Sequence, residues 1–152
     1  MAQMTGAMTL ANCKIYIGTT SAFPTGAFSL SDISTELAVS GGDLTIVKAF
    51  TFGTGTPIIA AGNKDSLTLT VKAQYSEVVA DGYATLAGYY ENKTAVYMQF
   101  IPKGTGTTGV YTFTTSIGYV KSHPYVSGNA EGSDFAGFEL VGEFQSITRS
   151  TL

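Results

Sequence analysis

Residues 66–75 read SLTLTVKAQY, and this stretch constrains the fold most. Leu67, Leu69, Val71, Ala73 and Tyr75 alternate with Ser66, Thr68, Thr70, Lys72 and Gln74. Period two is the signature of a strand with one covered face and one open face. Elsewhere Gly, Thr and Ser recur at short intervals, the pattern of short strands joined by turns.

Other segments follow the same logic. In residues 12–17, Cys13, Ile15 and Ile17 alternate with Asn12, Lys14 and Tyr16, which predicts a half-buried strand. Residues 18–32 are Thr-, Ser- and Gly-rich with Pro24 and read as a loop. Residues 37–52 are apolar and β-branched around Gly41 and Gly42, which predicts two strands with a turn between them. The short apolar piece 58–60 then makes residues 40–66 a long loop or hairpin. One helix is expected over 76–92, capped by Ser76, with Val79, Tyr83, Leu86 and Tyr90 on one face and Asn92 and Lys93 at its end. Strands at 94–102, 110–120 and 135–147 complete the chain. In the second, Tyr111, Phe113, Thr115, Ile117 and Tyr119 share a face. In the third, Phe138, Leu140, Gly142 and Phe144 oppose Glu139, Val141, Glu143 and Gln145. The expected class is mainly β (α+β): a β-sandwich or curled antiparallel sheet with one packed α-helix.

At 152 residues the chain suits a single domain, 1–152, able to bury roughly 70% of its unfolded surface. Charged residues are 12%, against the ~25% usual in soluble domains, and hydrophobic residues are 44%. Either other subunits cover neutral surface, or Thr and Ser coat a soluble domain. A net charge of −3 without any basic run argues against a binder held by phosphate contacts. Cys13 is the single cysteine, so no intrachain disulfide forms. The N-terminal MAQMTGAMTLANCK lacks the form of a signal peptide, and no apolar run reaches the ~18 residues of a membrane span. The expected site of synthesis is a cytoplasm, with no membrane insertion.

Candidates for chemistry fail individually. His123 and Cys13 are each the only residue of their type, too few for a metal site, and no motif joins them as a nucleophile pair. Residues 104–109, GTGTTG, match a dinucleotide-binding fingerprint in letters, but no helix follows to receive a phosphate, so a hairpin turn is expected. The sequon at Asn92 has no secretory context. Glu139 and Glu143 lie about 13 Å apart along a strand, too far for a glycosidase pair. No catalytic residue, cofactor or metal is expected, and the chain reads as a non-enzyme.

The segments SLTLTVKAQY, TLAGYYENKTAVYMQFIPKG, YTFTTSIGYVKSHP and FELVGEFQSI stand in the order strand, helix, strand, turn, strand, loop, strand. In order and texture they resemble the core of bacteriophage major tail tube proteins, and the resemblance covers most of the chain. It implies hexameric rings stacked into a tube, a β-lined channel for DNA, and a long loop reaching neighbouring rings. The implied partners are further copies of the chain, with tape-measure, tail terminator and baseplate or tail-tip proteins. DNA would pass in transit without specific binding. The implied location is the virion tail, after synthesis in the bacterial host cytoplasm.

Two sets of residues are expected to serve such an assembly. Leu44, Ile46, Val47, Phe50 and Phe52 are too apolar for a free loop and should contact other subunits. Glu139 and Glu143, with Thr112, Thr114 and Ser116, should face the channel as an acidic, hydroxyl-lined wall. The alternatives are the tube protein of a contractile injection or type VI secretion system, and a monomeric β-sandwich binding or capsid decoration module.

Overall fold

The alternation at residues 66–75 becomes a strand paired on both edges. The computed structural model describes residues 10–53, 55–77, 82–104, 109–132 and 135–151. Among these, in chain order, lie β1 Lys14–Gly18, β2 Phe28–Ser29, β3 Ser34–Gly41, β4 Leu44–Ala49, β5 Ile58–Lys64 and β6 Leu67–Gln74. The helix α1 Tyr83–Glu91 follows, then β7 Ala95–Ile101, β8 Tyr111–Thr115, β9 Gly118–Val120, β10 Gly137–Phe144 and β11 Ile147–Thr151. β6 buries Leu67, Leu69, Val71 and Ala73 and exposes Lys72 and Gln74, as its period requires.

Pairing is antiparallel throughout, in the order β11-β8-β7-β9-β10-β6-β3. β7 carries β1 along one edge, and β8 and β9 in succession along the other. Ile15 and Ile17 of β1, Met98 of β7, Leu69 of β6, Leu140 of β10 and Leu86 of α1 share one core. β1 and β6 are separated by several strands, so they meet in one core only because the sheet curls. The observed class is the expected one, a mainly β, curled antiparallel sheet with one packed helix.

The curl closes over Phe144, which is 1% exposed. A Cβ on Gly118 would lie 2.3 Å from its ring, and one on Gly142 2.6 Å. Two strands thus give up side chains so that one phenyl ring fills the gap.

Several expectations are corrected. Residues 110–120 form two strands, not one. Against β10 and β11 the register is continuous, from Phe144↔Gly118 to Ile147↔Thr115. Against β7 it slips by one residue between Val96↔Gly118 and Gln99↔Thr114. The extra residue makes a β-bulge, and a bulge reverses which side chains face inward. Tyr119 accordingly points out and Val120 in, opposite to the expected alternation. Polar side chains hold the break: the Met98 N–H donates to Thr115 Oγ1 at 2.8 Å, and the Ser146 N–H to Ser116 Oγ at 2.9 Å.

The helix begins at Tyr83, not at Ser76, because Gly82 before it has a left-handed backbone, φ 73. Val79 and Asp81 lie outside the described residues. Tyr83 and Leu86 face the core as expected, while Tyr90 is exposed, and Asn92 ends the helix. The loop at 18–32 contains β2 and the fully buried Leu30. The last strand continues past Ile147 as β11. Of the turn at 104–109, Gly104 and Gly109 are left-handed and 105–108 lie outside the described residues. Cys13 precedes β1 and is half-buried, its thiol pKa pushed up by burial.

Candidate functional site

Gly41 and Gly42 do not turn the chain back. Both are left-handed, at φ 81 and 72, and β3 and β4 do not pair with each other. The ladder instead runs on from Gly41↔Leu67, through Gly42 N–H to Ser66 O at 2.9 Å and Asp65 N–H to Asp43 O at 2.9 Å, to Leu44↔Lys64. β4 and β5 are therefore an arm projecting from the body as an extension of β3 and β6.

The arm has no core of its own: every residue of β4 and β5 is exposed. Ile46 and, across the ribbon beside Lys48, Ile59 share one face with Leu44; Val47 and Ile58 occupy the other. At the tip Phe50 is 73% exposed and Phe52 fully so. A lone two-stranded ribbon is marginal in water, and one apolar on both faces needs a cover on each. All five residues expected to contact other subunits sit on this arm and its tip.

The second surface is the outer face of β9, β10, β6 and β3. Residues directly opposite in a ladder point the same way. Glu139 stands beside Lys72, which stands beside Glu36; Glu143 stands beside Thr68, and Thr68 beside Ser40. Lys72 Nζ reaches Glu36 Oε2 at 3.1 Å, an exposed pair worth ~0–1 kcal/mol at most. Glu143 accepts from Ser66 Oγ at 2.8 Å and pairs with Lys121 at 3.5 Å. The Ser66 hydroxyl, then Lys121, hold its carboxyl below the usual carboxylate range.

The expected channel-facing set is split by this geometry. Glu139 and Glu143 share the outer face, but Thr112 is 2% exposed and cannot line a channel. Thr114 is half-buried and accepts from Gln99 Nε2 at 3.1 Å, and Ser116 is spent on the break beside Ser146. Thr112 lies ahead of the bulge, on the face of β8 opposite the core-packed Phe113, and that face is covered at this position rather than open. The hydroxyls beside the glutamates are those of Ser66, Thr68, Thr70 and Ser40, three of them the polar partners in the SLTLTVKAQY alternation. That alternation already placed them opposite the core.

His123 and Cys13 do not form a site. His123 bonds Glu91 at 3.1 Å and stacks on Tyr125 at 4.3 Å, whereas Cys13 packs on the core beside β1. Among the described residues no three of His, Cys, Asp and Glu converge as metal ligands, and no helix is long and apolar enough to cross a membrane.

Glu143 gives a pH-dependent expectation. Its folded pKa is depressed, so its contribution to stability is full above the unfolded value of about 4.3 and is lost as pH falls through the folded pKa. Ser66→Ala should move the carboxyl midpoint upward in an NMR titration, and Lys121→Met should do so less. A midpoint unmoved by both would show that neither contact governs the carboxylate.

The sequence matches no protein-family model and no curated protein, whereas its fold matches solved structures along nearly the whole chain. The SPP1 tail tube superposes with a TM-score of 0.67 at 12% identity, over 99% of this chain and 80% of that one. The tube-terminating cap of the anti-feeding prophage gives 0.67 at 12%, over 100% and 96%. The tail of a gene transfer agent particle gives 0.66 at 13%, over 96% and 99%. The class is thus that of the tail tube fold, shared by phage, gene transfer agent and injection-system tubes.

Proposed function

We propose that this chain is the repeating subunit of a phage-type tail tube, stacked as hexameric rings around a channel that conducts DNA. The arm carries the reading: an apolar ribbon exposed on both faces has a use only when neighbouring copies cover it. The fold supports it, and so does the sixfold symmetry of the gene transfer agent tail that shares that fold. The outer face of β9, β10, β6 and β3, with Glu139 and Glu143, lines the channel in this reading. On this face Lys72 and Lys121 are paired with Glu36 and Glu143 and so hold phosphates weakly, while the carboxylates repel them at short range, screened beyond ~8 Å, so DNA slides without sticking. Tape-measure, terminator and baseplate proteins would meet the ends of such a tube, in a virion tail. The likeness to a chain of the sheath-tube complex of an extracellular contractile injection system favours a second reading, the tube of such a system.

The test is to purify the protein, concentrate it and image it, with Glu139→Lys/Glu143→Lys alongside. Both proteins should form tubes. In particles, the double variant should slow DNA delivery, because cationic walls hold phosphates. A protein that stays monomeric at millimolar concentration would overturn the tube. Normal delivery by a fully assembled double variant would remove the glutamates from the channel wall.

A further inference from the structure

The arm leaves the body at the Gly41/Leu67 end of the β3–β6 ladder. At the other end of the same ladder, where β6 finishes at Gln74 and β10 begins at Gly137, a cleft of about 550 Å³ opens. It is lined by the exposed rings of Tyr125 and Phe135, 75% and 83% exposed, by Gly128, Ala136 and Gly137, which carry little or no side chain, and by polar residues such as Ser127.

We propose that the tip of the arm of a second copy, Phe50 and Phe52, seats in this slot. The inference rests on the tube reading and adds to it the place where the arm docks. Two observations carry it. The first is position: β6 spans eight residues, so the arm's root and the slot are about 25 Å apart, and the arm points away from its own slot. A knob at one end and a socket at the other make a heterologous contact, which links copy to copy into a ring where the rotation closes and into a filament where it does not.

The second is size. A specific interface takes ~20–30 residues a side, and the arm, residues 44–64, is a segment of that order. Aromatic rings seated in a desolvated slot are the usual energetic centre of such interfaces.

The experiment is cross-linking within assembled protein. Cys13 is the only cysteine, so Cys13→Ser gives a thiol-free parent. Into it go Phe52→Cys with Phe135→Cys, and as a control Phe52→Cys with Tyr119→Cys on the outer sheet face. A second pair, Gly53→Cys with Ser127→Cys, keeps every aromatic ring; a Cβ at Gly53 meets nothing within 4 Å. Mild oxidation of tubes should yield a ladder of covalent multimers from either slot pair and none from the control. Tubes that form but do not cross-link through either pair, or that cross-link through the control, overturn the slot and leave the tube reading standing. A parent that never assembles overturns both.

Discussion

Phe144→Ala should lower the stability of the unassembled protein by about 3–5 kcal/mol, the usual cost of deleting a buried phenyl ring. Phe144 is 1% exposed in a single copy, so the loss does not wait for assembly. Gly118 and Gly142 enlarge the effect. They already leave the ring its space and cannot reach in to fill the void, and a cavity that cannot collapse costs most. With total stability usually about 5–15 kcal/mol, the variant stands near the edge of folding. For a chain of this size the melting temperature should fall by roughly 6–20 °C. Calorimetry or thermal circular dichroism of the monomer reads this directly. A fall of under about 2 °C would mean that the curled sheet does not close over this ring.

Replacing the arm's apolar residues should do the reverse. Val47→Asp and Ile59→Asp place a charge on each face of a ribbon that is solvent-exposed in the single copy. Surface substitutions typically change stability by no more than about 0.5 kcal/mol, so the monomer should melt almost as before. In an assembly each charge would be buried against a neighbour without a partner. If each position behaves as an interface hot spot worth at least ~2 kcal/mol, the concentration needed for assembly rises about a thousandfold. Sedimentation over a concentration series measures both species. Unchanged assembly by the double variant would show that the arm lies free in the tube, while a large loss of monomer stability would make it part of the monomer core.

The two predictions divide along the line that separates what the sequence reveals from what it hides. Strands β6 and β10 were legible because each is covered on one face only, which leaves Leu67–Leu69–Val71 and Phe138–Leu140–Phe144 as clean alternations. The arm's exposed apolar residues were legible for the opposite reason, being apolar where no core could be built around them. Tyr119 was misplaced because a one-residue bulge between β8 and β9 reverses the facing. A bulge is a matter of pairing with β7, which leaves no mark in a local pattern. The pair Gly41–Gly42 misled similarly: two glycines suit a tight turn and a bend in a continuing ribbon equally well. The slot between Tyr125 and Phe135 could not be read at all, since it depends on bringing a loop beside the ends of β6 and β10.

The measurement that bears most directly on the account is a helical reconstruction of the assembled protein at a resolution that separates strands. It should reveal a hollow tube whose inner wall is the face carrying Thr68, Thr70, Glu139 and Glu143, with each arm laid against other copies. A solid fibre, a channel walled by some other face, or particles that remain single copies at every concentration would contradict it.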